Sequence, residues 1–431
     1  MRKSAIVALL GALTLVAAAC DGGGEPSPTA SGASPEPVTI RIQDYYGAST
    51  PMEPVIGDFE QEYPWITVDY EPVDWDTLHE KFTVQVSSGD SPDVATLDMT
   101  WIPTFASNGL LANLTEVSGG EMNGQPITDQ YTEGGIEAMS YDGNIVTMLF
   151  DFDVYALYYR ADVFRKKGVE VPTTWDEWSA AAEAVAEDTD GDGRCDKYCL
   201  EVDGETFHWS QILLQNGGSI LTDDMSQAAF NSPEGVEAVE FYKSFIDDGT
   251  GILWGPSEGD RQNGIKDERI GMFTDGPYYM GIMKSGAPEM KGKWKVAVAP
   301  YSSEPGSYLG GTGLSIPVNA EHPQEGWLFI EFMMRPENAT KIFTIAGAAP
   351  GLTAALESEE VDQPDPYFDD QNTLPVFLDA MSTATHFPYV PQWDRIQSLM
   401  DSGLEAAFLG KQPPQDALDD AAAKVNDELA S

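Results

Sequence analysis

Positive charge is scarce in this chain: 23 Lys and Arg stand against 71 Asp and Glu, a net charge of -48 over 431 residues. Nucleic acid is therefore excluded as a partner, because binding it requires basic residues that displace phosphate counterions. The acidic excess reads first as a solvated, self-repelling surface and second as an attraction for cationic ligands. Cysteine is nearly absent, with only Cys20, Cys195 and Cys199, and the four histidines (His79, His208, His322, His386) lie far from the cysteine pair in sequence. That disfavours a zinc site or a dithiol redox centre. No H-E-x-x-H zinc motif and no phosphate-binding loop occurs, so an enzyme would have to rest on paired carboxylates, as in a glycoside hydrolase. Long apolar runs are missing too: the longest, Ala5 to Ala19, has about fifteen residues where a membrane span needs roughly twenty.

That run, preceded by Met1-Arg2-Lys3 and closing on small residues, has the anatomy of an export signal over residues 1–19. Losing Arg2 and Lys3 with it would take the charge from -48 to -50. The junction Ala17-Ala18-Ala19-Cys20 resembles a bacterial lipobox, which implies lipidation of Cys20; Ala17 stands where that pattern usually has Leu, and ordinary cleavage is the alternative. Residues 20–37, rich in Gly, Pro, Ser and Ala, cannot bury enough surface to offset the entropy of ordering and read as a flexible tether. The remainder, roughly 390 residues, is long enough for two domains.

In an oxidising compartment Cys195 and Cys199 make an even pair, and a local disulfide is expected. Just before them, Asp188-Thr189-Asp190-Gly191-Asp192-Gly193-Arg194-Cys195-Asp196 follows the start of an EF-hand loop. Asp188, Asp190, Asp192 and Asp196 take positions one, three, five and nine, Gly193 position six and Arg194 position seven, a spacing of hard oxygens that suits a structural Ca²⁺. Position twelve should be Glu and is Cys199, so the loop is either incomplete or closed from elsewhere, as by Glu201 or Asp203. An acidic surface turn pinned by the disulfide is the alternative.

Along the body, Val38 to Ile42 alternates as a strand, Met52 to Tyr63 has helical spacing, and Ile66 to Tyr70 alternates again, a βαβ unit. Asp76 to Val86 and Trp101 to Leu110 read as helices around a short buried strand at Asp93 to Leu97. Helices are also expected at Ala161 to Lys167, Trp175 to Glu187, Trp209 to Asn216, Pro233 to Asp247 and Gln324 to Met334, with Thr174 and Glu177 forming a capping box. Ligands of open α/β sheets lie beyond the carboxyl ends of strands, which singles out Tyr45 and Tyr46 after the first strand and Asp98 and Trp101 after the third. Core packing is the competing reading for each aromatic.

The order of these segments resembles the extracellular solute-binding proteins of carbohydrate importers, the group that includes maltose-binding protein. SGDSPDVATLD (Ser88 to Asp98), ALYYRADVFRKKGVEVPTTWDEW (Ala156 to Trp178), NSPEGVEAVEFYKSFIDDG (Asn231 to Gly249), IGMFTDGPYYMG (Ile270 to Gly281) and GWLFIEFMMRPENATKIFTIAGAAP (Gly326 to Pro350) carry the resemblance. It implies an α/β, two-lobed periplasmic-binding-protein fold with a hinge and an interlobe ligand cleft. Lobe 1 would comprise 38–150 plus 301–347, and lobe 2 would comprise 151–300 plus 348–431. Aromatic faces would cover a sugar ring while carboxylates bond its hydroxyls. Carried over by position, the ligand-binding residues would be Tyr45, Tyr46, Asp98, Trp101, Asp151, Asp153, Tyr155, Trp209, Asp275, Tyr278, Tyr279, Gly311 and Trp393. The implied protein is a monomeric, membrane-anchored lipoprotein without catalytic residues or a catalytic cofactor, delivering a sugar or oligosaccharide to the permease subunits of an ABC importer. A polyamine or ferric iron are the alternative cargoes.

Overall fold

The computed structural model describes residues 35–47, 50–254 and 258–430; the export signal, Cys20 and the tether up to Ser34 lie outside them. Two sheets organise the body, a compact unit from Pro37 to Ser431. Their strands, in chain order, are β1 Val38–Asp44, β2 Ile66–Pro72, β3 Val94–Asp98, β4 Met148–Asp153, β5 Ala156–Arg160, β6 Cys199–Asp203, β7 Gly251–Trp254, β8 Ile270–Asp275, β9 Trp294–Ala297, β10 Ser307–Ser315 and β11 Ala384–His386.

The first sheet runs β11-β10-β3-β1-β2, with β4 also paired to β10. β1 is parallel to β2 from Val38↔Ile66 to Asp44↔Pro72 and parallel to β3 at Ile42↔Val94, whereas β10 runs antiparallel to both β3 and β4. The alternation read in Val38 to Ile42 is the burial pattern of an edge-proximal strand: Ile40 and Ile42 are fully buried and Arg41 between them is not. The second sheet runs β7-β6-β8-β5-β9, parallel through β7, β6 and β8 and antiparallel on to β5 and β9. β5 is buried throughout, as a central strand covered on both faces must be.

Two apolar clusters flank each sheet. One face of the second sheet is covered by the helices Trp175–Val185, Pro233–Asp247, Trp393–Phe408 and Pro414–Leu429, which bury Trp178, Tyr242, Trp393 and Val425. The helix Trp175–Val185 starts where expected, since the Thr174 hydroxyl accepts the Glu177 N–H at 3.2 Å. The reciprocal arm falls one residue early, with the Glu177 carboxylate accepting the Thr173 N–H at 2.9 Å. The boundary drawn after Phe150 falls inside β4, which continues to Asp153 because β10 still pairs with it there. Likewise the segment 348–431 was assigned whole to the second lobe, yet it contributes β11 to the first sheet through three residue pairs with β10.

Candidate functional site

Five acids are the last residues of their strands: Asp44 of β1, Asp98 of β3, Asp153 of β4, Asp203 of β6 and Asp275 of β8. In an open α/β sheet these are the positions that face a ligand crevice. Tyr45 and Tyr46, just past β1, stack on one another with ring centroids 5.2 Å apart. Both hydroxyls reach Thr312 Oγ1, at 2.6 Å and 2.8 Å, and Tyr46 also donates to the Asp151 carboxylate. Thr312 returns its own N–H to Asp151 Oδ1 at 2.8 Å, so β10 and β4 hold one polar cluster between them. Asp98 accepts the N–H and hydroxyl of Thr100, at 2.8 Å and 2.6 Å, and the Trp75 indole N–H at 3.4 Å.

Asp153 accepts the Tyr308 hydroxyl at 2.8 Å through Oδ2, while its Oδ1 is shielded and finds no donor. It sits against Gly276, where a Cβ would lie only 1.7 Å from that oxygen, so a larger residue after β8 would displace the Asp153 carboxyl group. Tyr155 lies tilted against His208 at 4.6 Å and edge-on to Tyr308 at 4.6 Å. Asp275 is fully buried and bonded by Arg261, which also holds Glu201 at 2.5 Å and Asp203 at 3.0 Å. His208 lies 3.4 Å from Asp203 and 3.8 Å from Asp275.

Electrostatics divide this cluster in two. Burial pushes the Asp151 carboxyl up to about 7, although Tyr46 and Thr312 pull the other way. Burial raises Asp153 well above the carboxylate range, and the neighbouring Asp275 and Asp151 add to it. Asp98 is also raised by burial. On the other side, burial again works against ionisation of Asp275, but Arg261 and His208 outweigh it and hold that carboxyl below its ordinary value. His208 is raised: burial would lower it, and Asp203 and Asp275 overcome that.

Residues 55–368 match the family model of bacterial extracellular solute-binding proteins. This chain belongs to that family. Similar to it across most of its length are a binding protein of Brucella abortus, 27% identical over 92% of this chain and 94% of its own, and the diacetylchitobiose-binding protein DasA of Streptomyces coelicolor, 22% identical over 100% and 98%. Among solved structures, a solute-binding protein of Thermotoga lettingae bound to α-D-tagatose is 26% identical and superposes with a TM-score of 0.81, covering 92% of this chain and 100% of its own.

In this solute-binding protein, Tyr45, Tyr46, Asp98, Asp151, Asp153, Tyr155 and Asp275 come together, as described, and Tyr278 joins them beside Gly276 and Asp275. Others go elsewhere. Trp209 and Trp393 are fully buried in the helical layer behind the second sheet, against Phe230 and Phe387. Tyr279 packs beneath β8 against Phe273 and Tyr158. Trp101 is buried among Trp75, His79 and the edge of Tyr45, so it backs the site rather than facing it. Gly311 serves packing: with φ of 149°, a Cβ there would come within 2.2 Å of the Asp151 carbonyl oxygen.

Sequence reasoning missed Thr312, Tyr308, His208, Arg261 and Asp203. It also passed over Gly255 to Gly259, which spells G-x-S-x-G in the sequence following β7. Ser257 lies outside the described residues, and a three-letter match does not outweigh a family of binding proteins.

Away from the cleft, Cys195 and Cys199 form a disulfide. Asp188, Asp190 and Asp196 each offer an oxygen within 4.8 Å of the others. Asp192 does not join that group; it accepts the Arg194 N–H at 2.9 Å. Glu201 and Asp203 cannot close the loop, since Arg261 holds both.

Proposed function

We propose that this chain is the extracytoplasmic receptor of an ABC importer, capturing a sugar or oligosaccharide and delivering it to the permease subunits without catalysing a reaction. The observation that carries the reading is the convergence of Tyr45, Tyr46, Tyr155 and Tyr278 with the strand-end acids Asp98, Asp153 and Asp275. Rings offer apolar faces to a pyranose and carboxylates accept from its hydroxyls. The sugars bound by the Streptomyces and Thermotoga proteins are consistent with it.

Lobe 1 is built on the first sheet and lobe 2 on the second. The chain passes from one to the other between β4 and β5, between β9 and β10, at Ala348 to Gly351 beside β4, where Phe152 N–H meets the Ala349 carbonyl at 2.9 Å, and again on either side of β11. Contacts across the cleft mouth fit a closed arrangement: His79 lies 3.3 Å from Asp394, and the Thr104 hydroxyl donates to the Pro391 carbonyl at 3.0 Å. Lipidation at Cys20 would anchor this monomer to the membrane, since among the described residues no helix is long and apolar enough to cross one. Asp188, Asp190 and Asp196 would hold a structural Ca²⁺. Isothermal titration of the purified protein with mono- and oligosaccharides, beside turnover assays on aryl glycosides and esters, tests the reading. Saturable sugar binding without turnover is expected; turnover abolished by Ser257→Ala, or binding of polyamines or ferric citrate alone, would overturn it.

A further inference from the structure

Most donors of the cleft are already committed. The hydroxyls of Tyr45 and Tyr46 are engaged with Thr312 and Asp151, the Tyr308 hydroxyl is given to Asp153, and the Trp75 indole N–H points to Asp98. A sugar hydroxyl accepts as well as donates, so a cleft that holds one also needs a donor that its own acids have not taken. His208 is such a donor. It is 7% exposed, and neither Nδ1 nor Nε2 has a hydrogen-bond partner among the described residues.

Its surroundings explain why. His208 lies in the first turn of the helix Thr206–Gln215, against the ring of Tyr155. The charged groups that face it are Asp203 at the end of β6, Asp275 at the end of β8, and Arg261 of the helix Glu258–Lys266. The nearest carboxylate oxygens, Asp203 Oδ2 at 3.4 Å and Asp275 Oδ2 at 3.8 Å, each already accept an Arg261 N–H, and Asp275 Oδ1 accepts the Gly276 N–H at 2.7 Å. The two acids therefore act on the imidazole through their field and not through bonds. Burial would lower the pKa of His208, but their charge outweighs it and raises the group, which favours the imidazolium with an N–H on both nitrogens. Buried donors without acceptors are unfavourable until an oxygen reaches them.

The helix also fixes where the imidazole stands. At its start Asp401 accepts the Thr206 N–H at 2.8 Å and the Thr206 hydroxyl at 2.6 Å. One turn past His208, the Gln211 amide donates to the Tyr155 carbonyl at 3.2 Å, and Ser307 Oγ accepts the Tyr155 N–H at 2.9 Å. Imidazole and tyrosine are thus held as one unit.

We propose that His208 is a specificity-determining residue of this receptor, one ring nitrogen donating to a hydroxyl oxygen of the sugar that lies beside Tyr155. The inference rests on the sugar-receptor reading and adds to it a residue with a stated role. A site built to bond a particular hydroxyl rejects the analogue that lacks it, because the buried donor is then left unpaired.

Titration calorimetry of the purified protein with D-glucose, D-galactose, D-tagatose, maltose and diacetylchitobiose selects the tightest binder as the probe. His208→Phe keeps a ring against Tyr155 but loses both nitrogens, and should bind the probe about tenfold or more weaker, the worth of one bond from a charged donor. His208→Gln restores an N–H and should recover part of that loss, with circular dichroism confirming both folds. The advantage of the wild type over His208→Gln should shrink as pH rises from about 6.5 to 9, where the imidazolium is lost. Among monodeoxy analogues of the probe, one should bind the wild type markedly more weakly and carry no such penalty in His208→Phe. A measurement that needs no variant is the imidazole nitrogen resonances of His208 in the wild type, which should move when the probe is added. Unchanged affinity in His208→Phe, or nitrogen resonances indifferent to the probe, overturns the inference and leaves the sugar receptor standing. Silence of the wild type across the whole panel overturns both.

Discussion

Replacing Asp151 by Asn removes one charge from the cleft while leaving its shape almost untouched. Asp151 is 3% exposed and accepts from the Thr312 N–H and the Tyr46 hydroxyl. The amide keeps both contacts, with its oxygen on Thr312 and the Tyr46 hydroxyl turned to accept from its nitrogen. In the wild type, burial moves the carboxyl from 3.8 to about 7. Between those values the folded state binds more protons than the unfolded one, so the stability this group confers is complete below about pH 4 and is lost as pH rises through 7. At about 1.4 kcal/mol per unit, a gap of roughly three units sets a ceiling of about 4 kcal/mol. Asp98 repels Asp151 and titrates with it, which shares the loss and brings the expected value to about 2–4 kcal/mol. Ligand-free Asp151→Asn should therefore match the wild type near pH 4 and exceed it by that margin at about pH 8, measured by urea unfolding followed by tryptophan fluorescence. A difference that does not change with pH, or a wild type more stable at the higher pH, would refute the reasoning.

Arg261→Met should destabilise by about 3–5 kcal/mol at neutral pH, because it strands Glu201, Asp203 and Asp275 in the interior. Asp275 contributes stability above its ordinary pKa only while Arg261 holds it low, so the gap between variant and wild type should narrow as pH falls to about 4, which thermal unfolding across that range would show. Gly311→Ala forces a Cβ against the Asp151 carbonyl oxygen at a positive φ and should cost about 2–4 kcal/mol. Gly57→Ala, in the helix Glu53–Glu62 with nothing within 4 Å of the new Cβ, should instead raise stability by about 0.5–1 kcal/mol in the same melts.

The elements were legible wherever local periodicity and local chemistry agree. Pro233–Asp247 is a helix over the residues its spacing marks, and Ser232 caps it through the Gly235 N–H. The end of β3 was legible too, and with it Asp98, because a short buried apolar run stops there, whereas Asp275 came only from the resemblance. The aromatics were not. Trp101, Trp209, Tyr279 and Trp393 are large apolar rings near strand ends or on helices, and sequence does not say whether such a ring turns toward a crevice or into the layer behind it; all four turned inward. Thr312 and Tyr308 enter the site only because β10 lies antiparallel to β4, a pairing across more than 150 residues that no local pattern encodes. Arg261 sits in a polar stretch that reads as surface and becomes 7% exposed only because three acids from β6 and β8 converge on it.

The place of β10 in the first sheet also governs the order in which the chain can complete itself. All five strands of the second sheet come from one continuous stretch, Ala156 to Ala297, so that sheet pairs without waiting for any later segment of the chain. The first sheet is different: β3 keeps an unpaired edge until Ser307–Ser315 arrives, long after β1, β2 and β3 have been made. An open edge of that kind is a template for pairing with other chains. The lobe that begins first in the sequence is therefore the one that must wait, and its slow, non-local closure is the step at which a newly made molecule is most exposed to association with its neighbours.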